Sequence, residues 1–338
     1  MIVHIGLGKT GTTSLQKGVF PELKKMGLID EYNPQHLMGE LRQYIHTGRG
    51  KEFLKNSFER LPEKTLISVE SLAGWNPAIW DFNLKQNVAI FPKNTTILIT
   101  LRDPESYLTS VYIQMLQSGS VNKPEQFLLN DVDYEYMEPI TRPHLCEIFK
   151  VDDLNYEKLV NLYSTNFHKL VVVSISGLSS LNFITELCEI HPNQLDELRI
   201  KLSKAKRENI SYSKSAIRLT FLREKMLSLL GIKMKSSLEN IYDNYSSKLN
   251  VPHEYKTKNT KFGAAISLYA KSGVWRYLMQ NYVDKLLKYR KYSLPGTIHR
   301  GRNFEKNQEY YSKLVNTKVQ YLVFWDKDRE LKHNDLAE

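Results

Sequence analysis

The chain has 338 residues, of which 41% are hydrophobic and 25% are charged, a composition typical of a globular protein with a large core and not of a disordered chain. The net charge of +10 suits an anionic ligand, but the basic residues are scattered, so we expect no nucleic-acid-binding arm and no nucleic-acid partner. Cys146 and Cys188 have no metal-binding spacing, and we expect two reduced thiols and no bound metal.

The sequence carries no sign of a membrane span. No apolar run reaches the roughly 18 residues that a membrane-spanning helix needs. The first predicted strand begins at residue 2, so we also expect no signal peptide. Both features favour a cytoplasmic protein.

Four short apolar runs predict buried parallel strands, at 2–6 (IVHIG), 66–69 (LISV), 96–101 (TILITL) and 169–175 (KLVVVSI). Helical patterns fall at about 12–26, 38–46, 50–60, 104–118 and 156–167. Alternating strands and helices predict an α/β fold with a central parallel sheet flanked by helices. Ligands of such sheets bind beyond the carboxyl ends of the strands, so the residues that follow each strand are candidates for a site.

The remainder of the chain is predicted to be mainly helical. From about residue 178 we expect no further strand, and the segments 181–191 and 211–231 have amphipathic helical patterns. The Lys-, Ser- and Tyr-rich segment 232–300 predicts no definite element. We therefore expect one domain, 1–338, with a helical C-terminal half.

The first strand leads into the turn GLGKTGTT (6–13), whose composition suits a phosphate. Gly11 lets the backbone approach an anion closely. Thr12 and Thr13 supply hydroxyls and the first N–H groups of a helix, where the helix dipole favours negative charge. Because Lys9 adds a mobile positive charge, this turn is expected to hold a terminal phosphate with a cation beside a leaving group.

Three other interpretations of the turn stay open. Its glycines also form the G-x-G-x-x-G fingerprint of dinucleotide-binding folds, with Asp30 and Glu31 about 20 residues further on. Two of the glycines have the spacing of a Walker A loop, but Thr12 stands where that loop has Lys. A plain strand-to-helix turn with Thr at the N-cap explains only one Thr and one Gly.

The third strand is followed by a second candidate anion site in LRDPESYLTS (101–110). Asp103 and Pro104 are typical of a helix start. Arg102 is a cation at the end of a buried strand, and Ser110 lies two helical turns beyond the cap on the same face. We expect Arg102 and Ser110 to hold one phosphate; the simpler alternative is a salt-bridged Arg and a Ser that bonds to its own helix.

The segment GTIHRGRNF (296–304) is a third candidate. Arg300 and Arg302 flank Gly301, an arrangement that suits a backbone nest for an anion. A solvated basic loop is the alternative.

Together the three stretches resemble the sulfotransferases that use 3′-phosphoadenosine 5′-phosphosulfate (PAPS). GLGKTGTTSL is similar to that family's 5′-phosphosulfate loop, most of all in the heparan-sulfate N-sulfotransferases, and LRDPESYLTS is similar to its 3′-phosphate motif. HRGRNF, with the following EYYSKLVNTKVQYLVFWD, is similar to the C-terminal element of the glycan sulfotransferases, where a Lys-Gly-Arg loop precedes a helix and a final aromatic-Trp-Asp turn. The chain departs from the family at Ser14, where cytosolic members have Trp, and at Arg300, where Lys is usual.

The resemblance implies a P-loop-NTPase-like (sulfotransferase) fold, PAPS as the donor, adenosine 3′,5′-bisphosphate (PAP) as the product, and no metal. The implied acceptor is a hydroxyl or amine of a carbohydrate or other small molecule, with 178–295 covering the acceptor side. A missing membrane anchor would fit a bacterial or phage-like member; the oligomeric state is left open. Lys9 would stabilise the charge on the leaving oxygen. The implied nucleotide-binding residues are Lys9, Thr10, Gly11, Thr12, Thr13, Ser14, Arg102, Ser110, Arg300, Gly301 and Arg302.

A sulfuryl acceptor also needs a general base. Glu70 follows the second predicted strand, at the edge where the other stretches are expected to meet. His36 lies about as far beyond Lys9 as the base Glu of the N-sulfotransferases does, and imidazole suits deprotonation near neutral pH. Glu70 and His36 are equal candidates, and Glu31 is a weaker one.

Three other functions remain possible from the sequence. A small-molecule kinase or other user of nucleotide triphosphates lacks the Lys after Gly11 and an acidic strand end for Mg²⁺. A nicotinamide dehydrogenase would leave Lys9, Thr12 and Thr13 unexplained. A non-catalytic nucleotide-binding member of the fold would not need Lys9.

Overall fold

The computed structural model describes residues 1–137, 148–203, 212–231, 272–287 and 289–325. The chain divides into two compact units. The first, which we call the sheet unit, comprises Met1–Tyr107, Asp153–Glu208 and Arg302–Glu338. The second unit comprises Leu108–Asp152 and Asn209–Gly301. The prediction of one functional domain stays a prediction.

The described residues contain eight strands: β1 (Ile2–His4), β2 (Glu31–Tyr32), β3 (Thr65–Ser68), β4 (Thr96–Leu101), β5 (Leu128–Leu129), β6 (Phe149–Lys150), β7 (Lys169–Ser174) and β8 (Tyr321–Trp325). Six of them form the central sheet of the sheet unit in the order β2-β3-β1-β4-β7-β8. The first five are parallel to one another, and β8 is antiparallel to β7. The prediction of an α/β fold with a mostly parallel central sheet is confirmed.

The expectation that strands end at about residue 178 is wrong. β8 adds a sixth strand at the edge of β7, with Val171 opposite Val323. Tyr321 and Val323 are buried and alternate with less buried neighbours, which is the period-2 pattern of a strand on a core. This segment lay in the part of the sequence likened to an aromatic-Trp-Asp turn; Trp325 is instead the last residue of a strand, and Asp326 lies outside the described residues.

Helices flank the sheet at the five positions that the sequence predicted, and Trp80–Ile90 and Pro192–Ser203 are helices that it did not predict. The first helical segment runs through Thr12–Ser14, a π-helical turn at Leu15–Val19, and Phe20–Lys25. The other α-helices of the sheet unit are Gln35–Thr47, Lys51–Phe58, Trp80–Ile90, Tyr156–Ser164, Phe183–Cys188, Pro192–Ser203 and Phe304–Asn316, and Pro104–Gln117 contains the first boundary between the units. Short 3₁₀ turns occur at Glu70–Leu72, Pro77–Ile79, Val151–Asp153 and Gly177–Ser179.

The first helical segment is held by the core of the sheet unit. Leu15, Val19 and Leu23 recur at a helical spacing, and they are buried in one cluster with Val171 and Val173 of β7. This packing fixes the start of the helix, and therefore the turn that precedes it, against the sheet.

The order of the strands places the turn after β1 at a switch point. From β1 the chain passes to β2 and β3 on one side of β1, and then returns to β4 on its other side. The strand order therefore reverses between β1 and β4, where the carboxyl ends of parallel strands leave a crevice for ligands. Glu70 follows β3 and Arg102 follows β4 at the same edge.

The second unit contains the parallel pair β5–β6 and the helices Pro124–Phe127, Asp131–Met137, Lys214–Leu229, Ser272–Leu278 and Asp284–Leu286, with a π-helical turn at Met279–Val283. Helices at Phe183–Cys188 and Lys214–Leu229 confirm the patterns seen at 181–191 and 211–231. Most of 232–300 lies outside the described residues, and the role of 178–295 as a cover on the acceptor side stays a prediction. In the described part of the chain, no helix is long and apolar enough to cross a membrane. Cys188 is a free, buried thiol, and Cys146 lies outside the described residues.

Candidate functional site

The turn after β1 has an unusual backbone. Gly6, Lys9 and Gly11 have φ angles of +30°, +70° and +89°, so three of six residues adopt left-handed conformations. Lys9 pays a steric penalty there that glycine does not. A Cβ at Gly11 would lie 2.5 Å from Leu178 Cδ1, so both the conformation and the space require glycine.

Gly11 is also the N-cap of the first helical segment. The N–H groups of Thr12 and Thr13 therefore begin the helix and have no intrahelical acceptor, while the Ser14 N–H donates to the Gly11 carbonyl at 3.0 Å. Thr13 is half-buried and Ser14 is exposed. This is the arrangement of donors that favours an anion at a helix start.

The side chain of Thr10 faces the protein. Its hydroxyl donates to the Leu7 carbonyl at 2.5 Å and lies 2.5 Å from Thr100 Oγ1 on β4. Because Thr10 is fully buried and its hydroxyl is bonded to the protein, that hydroxyl is not available to a ligand. Thr10 thus fastens the turn to the neighbouring strand.

Trp75 packs against the turn at Gly8. A Cβ at Gly8 would lie 2.3 Å from Trp75 Cη2, so the indole rests directly on the Gly8 backbone. Nothing in the sequence indicated this contact. This contact requires glycine at position 8, the middle glycine of the turn, whether or not a dinucleotide binds.

Glu70 lies at the turn, as one of the two hypotheses for the base requires. The Thr12 hydroxyl donates to Glu70 Oε1. Burial raises the pKa of Glu70 above its usual value, while the Thr12 hydrogen bond and the positive charge of Lys9 act in the opposite direction. The hydroxyl of Thr12 therefore orients a carboxylate, and its N–H remains for an anion.

His36 is placed differently. It is exposed, at the start of the helix Gln35–Thr47. Among the described residues no hydrogen bond joins His36 to the turn. Glu31 lies on β2, at the edge of the sheet.

Arg102 supports the turn from β4. Its Nη1 donates to the Lys9 carbonyl at 3.0 Å and so holds the strained residue in place. Burial lowers the pKa of the guanidinium, which the nearby Asp103 and tyrosines counteract. The Asp103 carboxylate accepts from the Ser106 N–H at 2.9 Å, which confirms the predicted N-cap.

The C-terminal helix anchors Arg102 through a relay that the sequence did not reveal. The Tyr156 hydroxyl donates to the Arg102 carbonyl at 2.8 Å. Asn307, buried on Phe304–Asn316, accepts from the Tyr156 N–H at 2.8 Å and donates to the Leu154 carbonyl at 2.8 Å. Arg102, at the carboxyl end of β4, is therefore held on two sides: its guanidinium bonds to the Lys9 carbonyl, and its own carbonyl accepts from Tyr156.

Ser110 belongs to the second unit. Its hydroxyl is buried and has no hydrogen-bond partner among the residues that the structure describes, so it does not make the usual bond to its own helix. The prediction that Ser110 joins Arg102 on one phosphate stays a prediction.

The segment 296–302 is built around Gly301, as its spacing indicated. In the second unit Gly301 has a φ of +90°, and a Cβ there would lie 2.3 Å from the Val151 carbonyl oxygen. His299 Nε2 lies 2.7 Å from Asp152 Oδ1, and Arg300 Nη1 donates to the Ile298 carbonyl at 2.8 Å. In the sheet unit, exposed Arg302 lies 3.6 Å from Asp153. The segment is thus a loop that carries two arginines and is held by hydrogen bonds and an ion pair. Its contact with a 3′-phosphate stays a prediction.

Comparison with known proteins adds nothing to this geometry. No family model, curated protein or solved structure matches the chain. Any function must therefore be argued from the residues themselves. Those that the sheet unit brings together are Lys9, Thr12, Glu70 and Arg102.

Proposed function

We propose that the protein is a PAPS-dependent sulfotransferase with a P-loop-NTPase-like (sulfotransferase) fold. The observation that carries the proposal is one cluster at the switch point between β1 and β4. It combines a cation at Lys9, a carboxylate at Glu70 that Thr12 orients, and a second cation at Arg102 that supports the same turn. An anion-binding turn with a cation on it and a carboxylate beside it is what sulfuryl transfer from a phosphosulfate needs.

The turn fits a 5′-phosphosulfate. Its left-handed residues and the first N–H groups of the helix offer backbone donors, and no side chain at Gly11 obstructs them. Arg102 uses one guanidinium hydrogen bond on Lys9, which leaves other donors of its fork for a further phosphate. When bound, PAPS supplies an activated sulfuryl group on its 5′-phosphate.

Each residue of the cluster then has a defined role. Glu70 accepts the proton of the acceptor hydroxyl or amine while the acceptor atom bonds to sulfur and the bond from sulfur to the 5′-phosphate oxygen breaks. Lys9 stabilises the negative charge that develops on that oxygen. Thr12 keeps Glu70 oriented, and Arg102 keeps Lys9 in its left-handed conformation. We propose a carbohydrate or other small molecule as the acceptor.

The class of ligand can be tested by calorimetric titration of the protein with PAP, ATP and NAD. We expect PAP to bind at least about tenfold more tightly than either competitor, since one added charged hydrogen-bonded contact is worth about that much. Tighter binding of ATP would favour a kinase, and tighter binding of NAD would favour a dehydrogenase. Either result would contradict the proposal.

A further inference from the structure

A buried histidine lies directly under the turn. His4 is the last residue of β1 and is fully buried. A Cβ at Gly6 would lie 2.9 Å from His4 Nε2 and 2.7 Å from Thr12 Cγ2, so the edge of the imidazole faces the start of the turn. Neither the proposed anion site nor the proposed base uses this residue.

The hydrogen bonds of Ser68 decide which nitrogen of His4 carries the proton. His4 and Ser68 lie opposite each other on β1 and β3, with Nδ1 2.7 Å from Ser68 Oγ. Gln16 Nε2 donates to the same Ser68 Oγ at 3.1 Å, and also to the Ser68 carbonyl, which fixes the orientation of the amide. The Ser68 hydroxyl still has its own hydrogen to donate, and among the described residues His4 Nδ1 is the acceptor within reach. We therefore assign the proton of His4 to Nε2.

That Nε2–H group has no acceptor among the described residues. Nε2 is buried, and no atom in the described part of the chain makes a hydrogen bond with it. Its neighbours are the Gly6 backbone and a Thr12 methyl group, while the Phe20 ring meets the imidazole edge-on at 5.4 Å between centroids. Burial lowers the pKa of His4 to about 3, so the ring stays neutral near pH 7. A buried donor without an acceptor destabilises the free protein, and an acceptor that arrives with a ligand removes that cost.

We infer that His4 is a positioning residue for the anion of the turn, whose Nε2–H donates to an oxygen that arrives with the bound 5′-phosphate. Ser68 and Gln16 set the tautomer through Nδ1, and Gly6, which has no Cβ, lets the Nε2 edge of the imidazole pack directly against the backbone at the start of the turn. The inference rests on the proposed function, because it assigns the 5′-phosphate of the nucleotide to this turn.

Two substitutions test the roles of the two His4 nitrogens separately. The amide of His4→Asn reaches the place of Nδ1 and can still accept from Ser68, but it offers no donor under Gly6. The amide of His4→Gln reaches the place of Nε2 and restores that donor. The ligands are PAP and adenosine 3′-monophosphate, which differ only in the 5′-phosphate.

Calorimetry should show that His4→Asn weakens PAP binding about tenfold or more and leaves adenosine 3′-monophosphate binding unchanged, as expected for one lost hydrogen bond to a charged group. His4→Gln should recover most of the PAP affinity. Thermal unfolding of both variants checks that they are folded. If His4→Asn does not fold, Ser68→Ala replaces it, because this variant keeps the imidazole but no longer fixes its tautomer. Ser68→Ala should then show the same selective loss of PAP affinity.

Equal losses for the two nucleotides, or none, would overturn the inference while leaving the proposed function intact. Wild-type protein that binds PAP no more tightly than adenosine 3′-monophosphate would instead overturn the assignment of the turn to a 5′-phosphate, and with it both proposals.

Discussion

Lys9→Ala should lower kcat by about 10²–10³-fold, the usual effect of removing one preorganised group that stabilises transition-state charge. Binding of PAP should change far less. The reason is that the ammonium of Lys9 is assigned to charge that appears on the leaving oxygen only as the bond to sulfur breaks, and such interactions act on kcat rather than on ground-state affinity. The left-handed conformation of Lys9 and the Arg102 hydrogen bond to its carbonyl are backbone features that the alanine variant can keep.

The measurement is PAP release from saturating PAPS, together with calorimetric titration of PAP. Lys55→Ala is a matched control, because it removes the same charge from an exposed position on the helix Lys51–Phe58. If Lys9→Ala keeps a normal kcat and only raises KM, Lys9 is a binding residue and the assigned role is wrong.

Glu70→Gln should lower kcat by about 10²–10⁴-fold, the usual contribution of a general base, while the variant still binds PAP. The base must be ionised to accept a proton, so activity should fall as pH drops through the pKa of Glu70. Because burial raises that pKa, the acidic limb of the pH–rate profile should lie above the range of about 4–5 where an ordinary Glu titrates. Thr12→Val should move the limb higher still, since the Thr12 hydrogen bond lowers the pKa of Glu70.

His36→Asn is the matched control for this experiment. His36 is exposed, whereas Glu70 is tied to the turn, so the control should keep both its kcat and its pH limb. Loss of the limb in His36→Asn with a normal Glu70→Gln would assign the base to His36. Normal turnover in both variants would place the base elsewhere.

The parallel strands and the turn were predictable because their signals are local. Apolar runs of four to seven residues mark β1, β3, β4 and β7, and each strand is buried on both faces. The turn was recognisable from its glycines and threonines, since left-handed backbone conformations favour glycine. β8 was missed because its alternating run is short and follows a helix, and the sequence does not show that β7 has a free edge with which a further strand can pair.

The support of the site was not predictable, because it depends on contacts between distant residues. The bond from Tyr156 to the Arg102 carbonyl and the bonds of Asn307 join segments about 50 and 150 residues apart. Nothing in the sequence around Trp75 indicates that its indole packs on the Gly8 backbone. His4 was visible as a polar residue inside an apolar strand, but only its register with Ser68 shows why it is there.

We propose that the protein has two anion sites, one at the turn for the 5′-phosphate and one that includes Arg102 for the 3′-phosphate. Calorimetric titration of the wild type with PAP and with 5′-AMP tests it most directly, because the two ligands differ only in the 3′-phosphate. We predict that PAP binds at least about tenfold more tightly, and that Arg102→Ala removes most of this preference. Equal affinity of the wild-type protein for PAP and 5′-AMP would contradict the account.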